Sequence, residues 1–181
     1  MNHKDHVDLL REGIPGPGGV WADFGAGSGA FTLALAELIG PGGEIFSIDR
    51  DATALRSQEA AFRARSLDET PVLHLMLADF TNMLQLPPLD GAVMANSLHF
   101  HRRKEPVIQQ IFMYLKPGAH LILVEYNVDR GNPWVPYPIS YSSWEMLARS
   151  CGFVNTRLLA TKPSRFLQEI YSAVCLKPSS N

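Results

Sequence analysis

The sequence predicts an α/β fold: a doubly wound, mostly parallel seven-stranded sheet that ends in a C-terminal antiparallel hairpin. Three observations predict it. Short apolar, β-branched runs alternate with helical patterns along most of the chain, the arrangement that gives a parallel sheet covered by helices on both faces. A glycine-rich turn, Gly25-Ala26-Gly27-Ser28-Gly29, ends the first run and opens a helix. Two late apolar runs flank a Lys162-Pro163-Ser164 turn and read as a closing hairpin.

The elements follow in order. One helix spans at most His3 to Glu12, and Val20 to Phe24 is the first strand. Phe31, Ala34, Leu35 and Leu38 then fall on one helical face, which Gly40-Pro41-Gly42-Gly43 stops. Glu44 to Asp49 is a second strand, followed by a helix from about Ala52 to Arg65 with Leu55 and Phe62 inward. Val72 to Ala78 and Gly91 to Ala95 are the third and fourth strands. The next helix opens near Pro106 and buries Val107, Ile108, Ile111, Phe112 and Leu115. Lys116-Pro117-Gly118 turns the chain into a fifth strand, Ala119 to Glu125. Residues Gly131 to Pro138 are too rich in proline for helix or inner strand and form a surface loop. Ser142-x-x-Glu145 has the form of a capping box for a helix with Trp144, Leu147, Ala148 and Cys151 inward and Gly152 as its stop. Phe153 to Ala160 and Phe166 to Leu176 make the hairpin.

At 181 residues the chain has the usual size of one domain, and with no linker or repeat in sight residues 1–181 are read as one. Lys plus Arg total 16 against 18 for Asp plus Glu, so no overall positive field exists to hold a nucleic-acid backbone. Cys151 and Cys175 lack C-x-x-C spacing and read as core thiols of a reducing compartment. The polar N-terminus does not resemble a signal peptide, and no apolar run approaches the ~20 residues that span a bilayer. A cytoplasmic protein with no membrane partner is expected.

The chemistry concentrates in Asp23-Phe24-Gly25-Ala26-Gly27-Ser28-Gly29-Ala30, where glycines let backbone approach a ligand closely. Gly25-x-Gly27-x-x-Ala30 also satisfies the dinucleotide fingerprint of dehydrogenases. Asp49, 20 residues past Gly29 at the end of the second strand, is placed to accept two hydrogen bonds from a ribose diol, which fits either cofactor. Asp23 separates them. A carboxylate two residues before the first glycine would repel a pyrophosphate, yet it suits a ligand carrying an ammonium and a sulfonium. Its purely structural alternative is a strand-end acid bonded to backbone amides of the turn.

Through Asp23, Gly25, Gly27 and Gly29 the sequence resembles the class I S-adenosylmethionine-dependent methyltransferases, whose pattern is Asp/Glu-x-Gly-x-Gly-x-Gly. Further landmarks of that family recur in order over roughly positions 19 to 176. The resemblance implies a Rossmann-like fold and S-adenosyl-L-methionine as cofactor, cradled by Gly25, Ala26, Gly27 and Gly29, with Asp49 on its ribose. It implies that Asp79 accepts from the adenine amine while Phe80 packs on the ring. Arg50 stands where the family often has an apolar residue over the adenine, so its guanidinium or stem would stack instead. Asp90 to His99, including Asn96, resembles the fourth-strand motif facing the methyl group, and Leu115 to Leu121 the turn before the fifth strand. Closest in style are small bacterial small-molecule methyltransferases related to the quinone-biosynthesis C-methyltransferases.

Methyl transfer from a sulfonium is an in-line displacement that needs mostly alignment and exclusion of water. If the acceptor must lose a proton, His99 and His101, just past the fourth strand, are the candidate catalytic bases. Without a third ligand of suitable spacing, their pairing implies no metal. Asn96-Ser97-Leu98-His99 lacks the Asn-Pro-Pro-Tyr pattern of enzymes that methylate planar amide or adenine nitrogens, and neither cysteine follows a proline. This favours a small-molecule acceptor over nucleic acid. Tyr126, Trp134 and Tyr137 are candidate walls of its pocket, with a packed lid that touches no substrate as the equal alternative. The short N-terminal extension leaves room for a second copy, a homodimer, to cover the substrate. Two other functions compete: a non-catalytic cofactor-binding subunit that activates a partner, and a nicotinamide-dependent oxidoreductase.

Overall fold

In a computed structural model, which describes residues 1–64, 70–164 and 166–179, the apolar runs become strands β1 (Gly19–Phe24), β2 (Gly43–Asp49), β3 (Val72–Leu77), β4 (Leu89–Ala95), β5 (Leu115–Tyr126), β6 (Val154–Pro163) and β7 (Glu169–Leu176). The helices are α1 (His3–Arg11), α2 (Ala30–Ile39), α3 (Ala52–Arg63), α4 (Glu105–Tyr114) and α5 (Tyr141–Ser150). The sheet runs β3-β2-β1-β4-β5-β7-β6. Its β3-β2-β1-β4-β5 part is parallel, and β7 pairs antiparallel with both β5 and β6. The fold is therefore the Rossmann-like α/β architecture with a C-terminal antiparallel hairpin.

Alternating strand residues feed two apolar layers, as the two-residue period of a strand requires. Trp21, Ile45, Val93 and Ile122 join Leu10 of α1, Leu35 of α2 and Phe62 of α3 on one face. Ala22, Phe24, Met94 and Leu123 join Ile108 of α4 and Trp144 of α5 on the other. Strand order reverses between β1 and β4: from β1 the chain builds outward through β2 and β3, then returns to the other side of β1. Connections leave the two central strands in opposite directions there, which opens a crevice beyond their carboxyl ends.

Several boundaries differ from the expectation for local physical reasons. The α5 cap is Ser140, not Ser142: Asp129 accepts from the Ser140 amide (2.9 Å) and hydroxyl (2.8 Å), which fixes the serine so that its Oγ accepts from the Ser143 amide. Lys116-Pro117-Gly118 is strand, because Leu115 pairs with Leu89 and Gly118 N donates to Lys177 O. Lys162 and Pro163 likewise pair with Ile170 and Glu169, which moves the hairpin turn to Ser164–Gln168, closed by Ser164 N donating to Gln168 O at 2.7 Å. The helix α3 ends at Arg63, and Arg65 lies outside the described residues. Leu38, Phe112 and Leu147 are half-buried. Both cysteines are buried and free, and burial raises each thiol's pKa.

Candidate active site

The crevice at the switch point is a cavity of about 800 Å³, large within the ~300–1,000 Å³ range of ligand sites. Its floor is Gly25, Ala26, Gly27 and Ser28 of the turn after β1. Asp49 and Arg50 reach it from the end of β2, and Ala78, Asp79, Phe80 and Thr81 from the end of β3. Ala95, Asn96, Ser97, Phe100 and His101 come from β4 and the segment after it. Met1, His6, Ala30 and Phe31 complete the lining from the α1 and α2 side.

The glycines of the turn serve different ends. Gly25 has φ +81°, and a Cβ there would stand 2.5 Å from Ser97 Cβ, so the collision is with the protein itself. Ser97 is fixed in place by donating to Phe24 O at 2.7 Å. Gly27 has φ +54°, and a Cβ there would meet nothing within 4 Å, so its backbone faces open cavity. Asp49 Oδ2 accepts from Gly27 N at 2.7 Å, and its Oδ1 from Asp51 N at 2.8 Å, which ties the ends of β1 and β2 together. Gly29 ends the turn as the left-handed cap residue of α2.

Asp23 does not bond the amides of the turn. It is buried, and its Oδ2 accepts from the Thr32 hydroxyl of α2 at 2.6 Å. Burial raises its pKa to about 7, the Thr32 bond opposes the shift and the Asp49 charge adds to it. Asp23 Oδ1 has no partner among the described residues, nor has Asn96 Oδ1, buried at the end of β4 on a residue with φ +54°. Asp79 Oδ1 accepts from the Thr81 hydroxyl (2.7 Å) and amide (2.9 Å), which hold its carboxyl below the usual range.

The two histidines part company. His101 lines the cavity with its ring 5.2 Å from that of Phe80, edge-on, and burial lowers its pKa. His99 is only 3% exposed and is not part of the lining. Its amide and its Nδ1 both reach the carboxylate of Glu125, at 3.0 and 2.9 Å. Glu125, which no sequence motif singles out, is fully buried at the end of β5. A signal was nonetheless available: a carboxylate closing the apolar run Leu121-Ile122-Leu123-Val124 must find donors in the core.

Tyr126, Trp134 and Tyr137 do not line the cavity. Trp134 is 70% exposed against Phe166, whose ring also contacts Tyr126. The Tyr137 backbone fixes its loop: its amide donates to His99 O and its carbonyl accepts from Lys104 Nζ at 2.6 Å. Sequence reasoning also missed His6, Phe31 and Phe100. None belongs to a motif, and only the packing of α1 on α2 and the course of the chain after β4 bring them in.

A glycine turn between a central strand and a helix, an acid at the end of the next strand and a cavity at the switch point define a nucleoside-binding α/β protein. The chain belongs to the class I S-adenosylmethionine-dependent methyltransferase family: the family model described as "Methyltransferase domain" matches residues 22–121, more than half of the chain. It is similar to a demethylmenaquinone methyltransferase of Geobacillus stearothermophilus, 27% identical over 67% of this chain and 51% of the relative. It is also similar to a ubiquinone/menaquinone biosynthesis C-methyltransferase of Burkholderia mallei, 29% identical over 69% of this chain and 49% of the relative. The chain thus spans about half the length of the curated relatives it matches. Among solved structures, a SAM-dependent methyltransferase from Aquifex aeolicus has the same fold, with TM-score 0.74 and 18% identity over 96% of this chain and 89% of that one. Another, from Methanosarcina mazei, has TM-score 0.72 and 19% identity over 95% and 98%.

Proposed function

We propose that this chain moves the methyl group of S-adenosylmethionine to a small-molecule acceptor, a ring compound of the kind named for its quinone-biosynthesis relatives. The observation that carries the reading is the cavity floor. Gly27 presents open backbone there, and the lining residue Asn96 carries a buried Oδ1 with no partner among the described residues, whereas Asp23 Oδ1, also unpartnered, belongs to a residue outside the lining. A ligand with an ammonium and a sulfonium fits that donor-poor, acceptor-rich setting, and its ribose hydroxyls fit the lone pairs that Asp49 keeps beyond its two amide bonds. Asp79, with Oδ2 unused by Thr81, fits the adenine amine, with Phe80 and Arg50 beside the ring.

When bound, S-adenosylmethionine supplies a methyl carbon whose bond to sulfur breaks as the acceptor's bond forms, the electron pair staying on sulfur. The residues of the chain align the acceptor, exclude water and take up its proton where it has one to lose. His101, unprotonated at neutral pH and in the cavity, is assigned the contact with the acceptor. His99 is assigned to anchoring the segment that carries Phe100 and His101, through Glu125. No helix among the described residues is long and apolar enough to cross a membrane.

The test is calorimetry with S-adenosylhomocysteine on wild type and Asp49→Ala. Loss of two charge-assisted hydrogen bonds should weaken affinity on the order of 100-fold. A folded variant that binds within a few-fold of wild type would remove Asp49 from the site. Labelled-methyl transfer to fractionated metabolites separates an enzyme from a binding subunit, since only the enzyme turns over.

A further inference from the structure

We infer that the acceptor end of the cavity is a subsite for a ring compound bearing a hydroxyl group, and that His6 of α1 binds that hydroxyl. The inference rests on the methyltransferase reading and deepens it. Its basis is a contrast among the six histidines of the chain. His3 and His74 bond Glu37 and Glu44, His99 bonds Glu125, and His120 bonds Gly13 O. The rings of His6 and His101 have no hydrogen-bond partner among the described residues, and these are the two histidines that line the cavity. Neither histidine has a ring nitrogen sealed from solvent, so each is free to bond a group that enters the cavity.

The surroundings give the chemistry of that ligand. The His6 ring lies 4.7 Å from that of Phe31, tilted by 55°, in the layer of α1 and α2. From the other layer Phe80 and His101 meet edge-on, and Phe100 adds a third phenyl ring. Phenyl and imidazole faces on both sides suit a flat, apolar ring. The charged side chains of the lining, Asp49, Arg50 and Asp79, all sit at the ends of β2 and β3. Burial first, then the N-terminal ammonium, lowers the His6 pKa, so at neutral pH the ring is uncharged, with one nitrogen to donate and one to accept. A hydroxyl finds a partner in such a ring whether it donates or accepts.

The test loads the protein with S-adenosylhomocysteine and titrates two probes: 2-naphthol and its methyl ether, 2-methoxynaphthalene. Wild type should bind the naphthol at least about fivefold more tightly than the ether. His6→Phe keeps a ring against Phe31 but removes both nitrogens. It should weaken naphthol about five- to tenfold and leave the ether within about twofold, a difference that general disruption of α1 would not produce. Ether binding as tightly as naphthol to wild type, equal losses for naphthol and ether in the variant, or no naphthol binding to the loaded protein would each overturn the inference. Failure of wild type to bind S-adenosylhomocysteine would instead overturn the methyltransferase reading, and the subsite with it.

Discussion

The turn after β1 and the loop after β5 both stand at the carboxyl edge of the same sheet, but they are held differently. The turn is locked from within: Gly25 and Ala26 donate to Ile48 O, Gly27 donates to Asp49, Asp23 accepts from Thr32, and Ser97 fills the space that a Cβ on Gly25 would need. The loop is fixed mainly through its main chain: Asn132 Oδ1 accepts from Trp134 N and Val135 N, and Tyr137 is tied to His99 and Lys104 by its amide and carbonyl. Its aromatic rings take no part in those bonds. In the turn the residue types are therefore dictated by geometry, while in the loop the backbone path is set and the identity of the rings is left free.

Glu125 anchors the segment after β4, which meets the turn through Ser97 and the loop through His99 O, so removing it should have the largest effect. Glu125→Ala leaves the buried His99 amide and Nδ1 without an acceptor, and the cost should be about 3–5 kcal/mol in urea unfolding. A loss under about 1 kcal/mol would mean that the segment after β4 is anchored elsewhere.

Within the turn, the two kinds of glycine should separate. Gly25→Ala combines positive φ with a 2.5 Å contact, for a loss of about 2–4 kcal/mol. Gly27→Ala meets open space and should cost only about 1 kcal/mol, yet weaken S-adenosylhomocysteine disproportionately, because the new methyl enters the cavity. Equal stability losses in denaturant melts would erase the distinction.

Asp23 gives the turn a pH signature that the loop lacks. Its folded pKa of about 7 lies above the ~3.9 of an unfolded aspartate. Between those values the folded chain keeps a proton that the unfolded chain has lost, so stability falls as pH rises from about 4 to about 7 and levels off above. Asp23→Asn cannot titrate. The stability of wild type relative to this variant should decline across that window by an amount on the order of a few kcal/mol, and a difference independent of pH would show that Asp23 is ionised throughout.

The smallest effect belongs to the loop. Trp134 is 70% exposed, so Trp134→Ala should change stability by no more than about 0.5 kcal/mol and leave S-adenosylhomocysteine affinity unchanged. A tenfold loss of cofactor affinity would place the loop in the cofactor site and break the comparison.

The α/β architecture and the part of the cavity lining that comes from the glycine turn and the strand ends were legible in the residues alone. Apolar runs alternating with amphipathic helices admit few other arrangements, and Asp23, Gly25, Gly27, Asp49 and Asp79 all stand at strand ends, where the fold rule places ligands. Local chemistry is enough for such positions, because a positive φ or a strand-end acid is a property of a few consecutive residues. The remainder emerged only when the elements packed. That Asp23 bonds Thr32, that His99 turns inward to Glu125, and that His6 rather than Trp134 or Tyr137 lines the cavity depend on contacts between separate elements of the fold. His6 and His101 are 95 residues apart in the chain, and no spacing rule connects them. They share one cavity because α1 packs on α2 in one layer while the chain leaving β4 crosses toward the other.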